Sequence, residues 1–264
     1  MNDRTPAAEP AAGLVRRALE VAWGIHAWLT FTLCVSAAAL FALVVPGLAR
    51  RRRWVAAAGR SWFALAGIPV KVRGVESIPG GHCIVVANHA SYMDGIVLQA
   101  FLPPRFSFVI KREIEVVPVA RFLLRRIGSR FVDRFVTHAS ARAARELVRA
   151  AAAGESLAVF PEGTFHPEPG LYRFRRGAFA AAIKAELPIV PVVIGGSRRI
   201  LAARRILPRR GRLSVEILPP IGPRDPAFRE ARLLVSATRR RMLPVLGEPD
   251  REAPVIDPGR IASG

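Results

Sequence analysis

The chain has 264 residues, 51% of them hydrophobic, which suffices for one sizeable domain with an appendage and excludes global disorder. Its formal net charge is +20, with Lys+Arg 40 against Asp+Glu 20, so its partners should be anionic: nucleic acid, acidic lipid headgroups or phosphorylated substrates. Cys34 and Cys83 lie in apolar runs without metal-ligand spacing, which argues against zinc and a disulfide framework and makes a reducing compartment the default.

Residues 1–13 are rich in Ala, Pro and charge and read as a disordered tail. Arg16-Arg17 then precede Val21 to Val45, a run with no Asp, Glu, Lys or Arg. As a helix this run is about 37 Å long, enough to cross a bilayer with some tilt. Arg50-Arg51-Arg52-Arg53 come after Pro46-Gly47, and the heavier basic block at the C-terminal end favours a cytoplasmic position for the rest of the chain. The expected location is therefore the inner (cytoplasmic) membrane, with the main domain on its cytoplasmic face. Ser36-Ala37-Ala38-Ala39 resembles a signal-peptidase site, but the apolar run is too long for an ordinary signal. Trp23, Trp28, Trp54 and Trp62 suit the headgroup level, and Trp54 to Leu65 reads as a second, interfacial helix. Residues 14–67 thus form an expected membrane anchor, spanning or half-immersed.

From Val70 the texture changes. Val70 to Val72, Cys83 to Ala87, Phe106 to Ile110, Arg130 to Val132, Leu157 to Phe160, Ile189 to Ile194 and Leu213 to Leu218 read as strands. Tyr92 to Phe101, Pro118 to Arg126, His138 to Ala153 and Ala178 to Ala185 read as helices between them. Pro226 to Leu243 reads as a closing helix, and Gly247 onward as a Pro-rich tail. The expected fold is α/β: a single mostly parallel, mixed sheet flanked by helices over 68–246, behind an N-terminal hydrophobic anchoring helix, with 247–264 a disordered tail.

Asn88-His89-Ala90-Ser91-Tyr92-Met93-Asp94 comes directly after the second strand. On a regular helix His89 and Asp94 would stand about 140° apart. They meet only if His89 sits on the turn leaving the strand and Asp94 in the first turn of the next helix, where the helix dipole favours an acid. A carboxylate holding one imidazole nitrogen leaves the other free to take a proton, which makes His89 a candidate general base. His26, His82, His138 and His166 lack such a neighbour.

Val159-Phe160-Pro161-Glu162-Gly163-Thr164 is a second apolar strand broken by a turn, and parallel strands would deliver Glu162 and Gly163 to the same sheet edge as His89. Beyond it, Arg173, Arg175 and Arg176 alternate with aromatics, either as a phosphate grip or as a solvated basic loop. Gly128-Ser129-Arg130-Phe131-Val132-Asp133-Arg134, preceded by Lys111-Arg112-Glu113, offers Arg134 as a phosphate clamp or as an ion pair with Asp133. Gly195-Gly196-Ser197 lacks the ending of a phosphate loop and reads as a turn.

Taken together these stretches resemble the glycerolipid acyltransferases, the family of the bacterial 1-acylglycerol-3-phosphate acyltransferases, which is known for four ordered blocks. His89 through Asp94 looks like the first, His-x4-Asp; Gly128 through Arg134 like the second. Phe160 through Thr164 looks like the third, and Ile189-Val190-Pro191-Val192 like the fourth. The resemblance covers roughly residues 60 to 220 in the right order. It implies that His89 takes the proton of an acceptor hydroxyl, which attacks an acyl thioester, while Asp94 orients the imidazole. No seryl nucleophile and no cofactor are needed, with acyl-CoA or acyl carrier protein as co-substrate. Arg134, Glu162 and Gly163 carry over as acceptor-binding residues, with Thr164, Lys111, Arg175 and Arg176 as further candidates. The third block usually ends in arginine, where this chain has Phe165. Either that phosphate-binding role passes to Arg173, Arg175 or Arg176, or the acceptor differs from lysophosphatidic acid.

The expected partners are anionic membrane lipid, a lysophospholipid acceptor and the acyl donor. Three other acceptor classes, a lyso-ornithine lipid, a different lysophospholipid or a glycolipid, stay open, as does a catalytically silent lipid-binding scaffold. Nucleic acid is not an expected partner, because no helix-turn-helix, zinc-finger or aromatic RNA-binding signature is present.

Overall fold

The structure, a computed structural model, describes residues 9–132 and 137–252. Two helices come first, α1 (Glu9–Val44) and α2 (Leu48–Leu65), followed by β1 (Val70–Arg73), β2 (Ile84–Ala87) and α3 (Met93–Phe101). Next come β3 (Phe106–Lys111), α4 (Pro118–Arg126), β4 (Arg130–Val132), α5 (Thr137–Ala152), β5 (Ser156–Val159) and α6 (Gly177–Ala185). The chain closes with β6 (Ile189–Gly195), α7 (Ser197–Ile200), β7 (Leu213–Ile217) and α8 (Ala231–Leu246).

All seven expected strands form and join one sheet in the order β1-β7-β6-β2-β5-β3-β4. Every pairing is parallel except β6 with β7. Five strands, β2 to β6, therefore point their C-terminal ends at one edge. The short apolar runs are strands covered on both faces: β2 and β5 are buried at every residue. Alternation splits the core. Val85 and Ala87 face a cluster with Trp62, Phe63, Val97, Leu98 and Phe106, while Ile84 and Val86 face one with Leu157, Phe179, Ala182, Leu234 and Met242.

Helix α1 has two apolar faces. Trp23, Ala27, Cys34, Ala38 and Ala42 are buried, whereas Leu14, Leu19, Ile25, Leu29, Leu33, Leu40 and Leu43 are exposed. The buried face is tied to α2 and its C-terminal end by hydrogen bonds: Trp23 Nε1 donates to Ala66 O at 3.1 Å and Trp62 Nε1 to Ala27 O at 2.9 Å. Farther along, Arg126 donates to Ala42 O and Leu43 O, both at 2.8 Å, supplying partners for the orphan carbonyls at the helix end.

Four details depart from the sequence reading. Helix α1 opens at Glu9, so 9–13, expected in the tail, are helical. The arginine block lies inside α2 and is divided in use: Arg50 and Arg53 are exposed, but Arg52 is buried and donates to Ile127 O, Arg105 O and Ser107 Oγ at 2.7 to 2.8 Å. A guanidinium fork can satisfy acceptors from three directions, which an unpaired charge could not do in a core. The closing helix is interrupted at Glu230 (φ −150°, ψ 140°): a 3-10 turn, Pro226–Arg229, is capped by Asp225, and α8 then runs to Leu246. Finally, residues 248–252 turn back on the domain, where Leu171 N–H donates to Pro249 O at 2.9 Å and Arg251 N–H to Leu171 O at 3.0 Å; the rest of both expected tails, 1–8 and 253–264, lies outside the described residues.

Candidate active site

The first block is built on the end of β2. The Asn88 side chain clasps the neighbouring strand β6: Nδ2 donates to Ile194 O at 3.0 Å, and Ile194 N–H donates to Oδ1 at 2.7 Å. His89 occupies the turn just after the strand, and Asp94 lies in the first turn of α3, as the spacing demanded. The Asp94 carboxylate is fully buried, and its Oδ2 accepts from the amides of Ala90 (2.6 Å) and Ser91 (2.8 Å). The same oxygen lies 3.1 Å from His89 Nδ1. An ionised carboxylate only accepts, so the ring proton belongs on Nδ1 and the Nε2 lone pair is left for a substrate proton. Ser91 adds a strut, its Oγ donating to Leu201 O at 2.6 Å.

Aromatic side chains fix the ring. Phe160 stacks on the imidazole (centroids 4.1 Å, 16°), and Phe165 meets it edge-on (4.8 Å, 72°). Phe165 also packs edge-on against Tyr92 at 4.7 Å, and Tyr92 is 62% exposed, so the aromatic wall reaches the surface beside the histidine.

The third block enters from β5. Glu162 is buried and bridges two segments: Oε1 accepts from His89 N–H at 2.7 Å and Oε2 from Tyr172 N–H at 3.0 Å. Burial pushes its carboxyl up to about 7, against the pull of these two amides and the Arg239 guanidinium, with Asp94 adding to the rise. Gly163 adopts φ +83°, and a Cβ there would stand 2.6 Å from Arg175 Nε, so both backbone shape and close approach call for glycine.

The structure thus gathers His89, Asp94, Glu162 and Gly163, with Arg175 laid along Gly163. Thr164 is exposed just past the turn, and Arg176 is exposed at the start of α6. Lys111 closes β3 on the same sheet edge and lies 3.8 Å from Glu113. Arg134 lies outside the described residues. Among the described residues no three His, Cys, Asp or Glu side chains form a metal-binding group. Sequence reasoning missed the packing roles of Phe160 and Phe165 and the contribution of Arg239. Phe160 directly follows β5 and Glu162 lies in the turn beyond it, so strand alternation did not tie the two together, and nothing in chain order pointed to Arg239.

Comparison with known proteins agrees with this constellation. Residues 69–195 match the Acyltransferase family model, a stretch that holds the first, second and third blocks and the fourth at its end. The chain is 30% identical over 187 residues to 1-acyl-sn-glycerol-3-phosphate acyltransferase alpha of Mus musculus, covering 70% of this chain and 66% of that one. It is 31% identical over 160 residues to the 1-acyl-sn-glycerol-3-phosphate acyltransferase of Saccharomyces cerevisiae (60% and 53%), and 33% over 129 residues to that of Pseudomonas aeruginosa (48% and 50%). The match therefore spans from half to just under two thirds of these relatives' own length. The fold resembles the crystal structure of PlsC, the 1-acyl-sn-glycerophosphate acyltransferase of Thermotoga maritima, with a TM-score of 0.73 and 24% identity over 86% of this chain and 94% of that one. Four blocks in order, a histidine–aspartate pair at a strand's end and a matching family model lead to one statement: residues 69–195 form a domain of the Acyltransferase family.

Proposed function

We propose that this protein is a membrane-associated O-acyltransferase that moves a fatty acyl group from acyl-CoA or acyl carrier protein to the free hydroxyl of a lysophospholipid. The reaction best supported converts 1-acylglycerol-3-phosphate to phosphatidic acid, the acceptor named for the relatives. One observation carries the reading: His89 gives Nδ1 to a buried carboxylate at 3.1 Å and keeps Nε2 for a substrate.

In this mechanism the acceptor hydroxyl hydrogen-bonds to His89 Nε2. As its oxygen attacks the thioester carbonyl, the proton passes to Nε2, and Asp94 stabilises the imidazolium. Collapse of the tetrahedral intermediate breaks the C–S bond, and the imidazolium proton goes to the leaving thiolate. The new ester and the free thiol leave His89 as it began. Glu162 fixes the main chain under the histidine, and Arg175, exposed beside Gly163, and Arg176, exposed at the start of α6, offer charge to the acceptor phosphate.

Membrane association rests on α1. The helix is long and apolar enough to cross a bilayer. Its docked face, however, holds the domain from Trp23 to Leu43, about 30 Å of helix. That arrangement favours a helix lying half-immersed, with Ile25, Leu29, Leu33 and Leu40 turned outward into the lipid. Exposed Arg50 and Arg53 suit anionic headgroups, and acyl donors of this kind suit the cytoplasmic face of the inner membrane.

A different acceptor is the second reading, favoured by Phe165: an aromatic ring packed on His89 stands where the family usually has a guanidinium. Purified protein given radiolabelled acyl-CoA and acyl carrier protein against a panel of lysolipids separates the two. Phosphatidic acid from 1-acylglycerol-3-phosphate is the expected product; efficient transfer only to another lysolipid selects the second reading, and none at all overturns both.

A further inference from the structure

Past Gly247 the chain returns to the active-site loop. The Glu248 carboxylate accepts the Gly170 N–H at 2.6 Å and meets Arg198 Nη2 at 3.3 Å. Arg198 in turn donates to the carbonyls of His166 and Pro167. Pro249 and Arg251 exchange backbone hydrogen bonds with Leu171, and Arg251 Nε donates to Pro169 O at 3.0 Å.

Beneath this contact sits Arg239 of α8, its side chain only 6% exposed. It donates to the carbonyls of Leu171 and Tyr172, lies over the Phe174 ring, and is paired with Asp250 and Glu252. A cation at that depth needs counter-charges, and the returning segment brings them. The loop from His166 to Phe174 is therefore gripped at its carbonyls by Arg198, Arg239 and Arg251, and the segment 248–252 supplies ion-pair partners to the first two.

What that loop holds is the site. Tyr172 N–H donates to Glu162 Oε2, and Glu162 Oε1 takes the His89 N–H. A continuous set of hydrogen bonds thus leads from the C-terminal segment to the catalytic histidine's main chain.

We propose that Glu248–Glu252 is a strap that positions Glu162 and the Gly163 turn for the acyl acceptor, with Arg239 as the positioning residue beneath it. The inference rests on the acceptor-binding role proposed for Glu162 and Gly163. The strap does not touch the reacting atoms; it holds the loop whose amide holds Glu162.

The test compares three chains: full length, one ending at Glu252 and one ending at Gly247. A fourth, full-length chain carries Asp250→Asn with Glu252→Gln, for the case in which the shorter chain does not fold. Amide hydrogen exchange is followed over 168–175 and over β2 and β5. Loss of the strap should speed exchange over 168–175 at least tenfold and leave the two central strands protected. With 1-acylglycerol-3-phosphate and acyl-CoA, the acceptor KM should rise about tenfold while the donor KM stays within twofold. A purely structural role would lower the active fraction and leave both KM values unchanged. The chain ending at Glu252 should match full length.

Unchanged exchange over 168–175, an unchanged acceptor KM with loss only in active fraction, or identical behaviour of the two shortened chains overturns the proposal. Should the full-length chain not acylate this acceptor, the reaction proposed above fails, and the exchange pattern still decides the strap.

Discussion

His89 is held by two carboxylates that divide the work: Asp94 takes the ring at Nδ1, 3.1 Å away, and Glu162 takes the main-chain N–H at 2.7 Å. The first contact sets which nitrogen carries the proton. The second sets where the histidine sits relative to the loop at Gly163.

This division predicts different kinetic defects. His89→Ala removes the base and should cost at least about a thousandfold in kcat. Asp94→Asn keeps an oxygen facing Nδ1, because the Ala90 and Ser91 amides donate to the same position, but it removes the charge that stabilises the imidazolium, with a loss in kcat on the order of a hundredfold or more. Steady-state kinetics beside thermal unfolding checks both. Wild-type-like turnover by either variant would remove the histidine–aspartate pair from the mechanism.

Glu162 also couples stability to pH. Its carboxyl, ordinarily near 4.5, is pushed up to about 7 by burial. Between those values the native state keeps a proton that the unfolded chain has released, so stability falls as pH rises through the window. Above pH 7 the penalty is complete, on the order of 3 kcal/mol as an upper figure. Glu162→Gln does not titrate. Relative to that variant, the wild type should lose stability between pH 5 and pH 8, read from urea midpoints at each end. A constant difference across that range would show that the carboxylate stays ionised.

The sheet was legible because its strands are short apolar runs with turn residues between them, and burial on both faces leaves such runs little else to form. The histidine–aspartate pair was legible because its spacing suits a strand-turn-helix corner and not a helix face. The uses of arginine were not legible. Arg52 and Arg239 each sit in a basic run in which no member stands out, and only the fold brings Ile127 O and Ser107 to the first, or Asp250 and Glu252 to the second. The hold on residues 248–252 was not legible for a related reason. Composition marked Gly247 onward as a tail, while the partners that hold it, Gly170, Leu171, Arg198 and Arg239, come from distant parts of the sequence.

Phe165 should matter for rate rather than for folding. It braces the imidazole edge-on and is itself braced by Tyr92. Phe165→Ala leaves the ring free to rotate away from Asp94, and kcat should fall about tenfold with little change in donor KM, since a loosely held base spends less time in line. Phe165→Tyr keeps the edge contact and should retain most of the activity. Equal activity of the alanine variant and the wild type would assign the aromatic wall to packing alone.

The two faces of α1 should separate membrane binding from stability. Leu29 and Leu33 are about two-thirds exposed and Ala38 is 3% exposed. Replacing Leu29 and Leu33 with Glu puts charge on the outward face, where no part of the domain is buried against it. Sedimentation with phosphatidylglycerol-containing vesicles should drop at least tenfold, while thermal stability and activity in detergent stay near wild type. Ala38→Leu does the opposite, forcing extra volume into the seam with α2 and α4 at a cost of about 1–3 kcal/mol, without touching the outward face. If the double Glu variant still sediments with vesicles, α1 does not hold the protein to the lipid, and the exposed arginines Arg50 and Arg53 become the part of the molecule to test next.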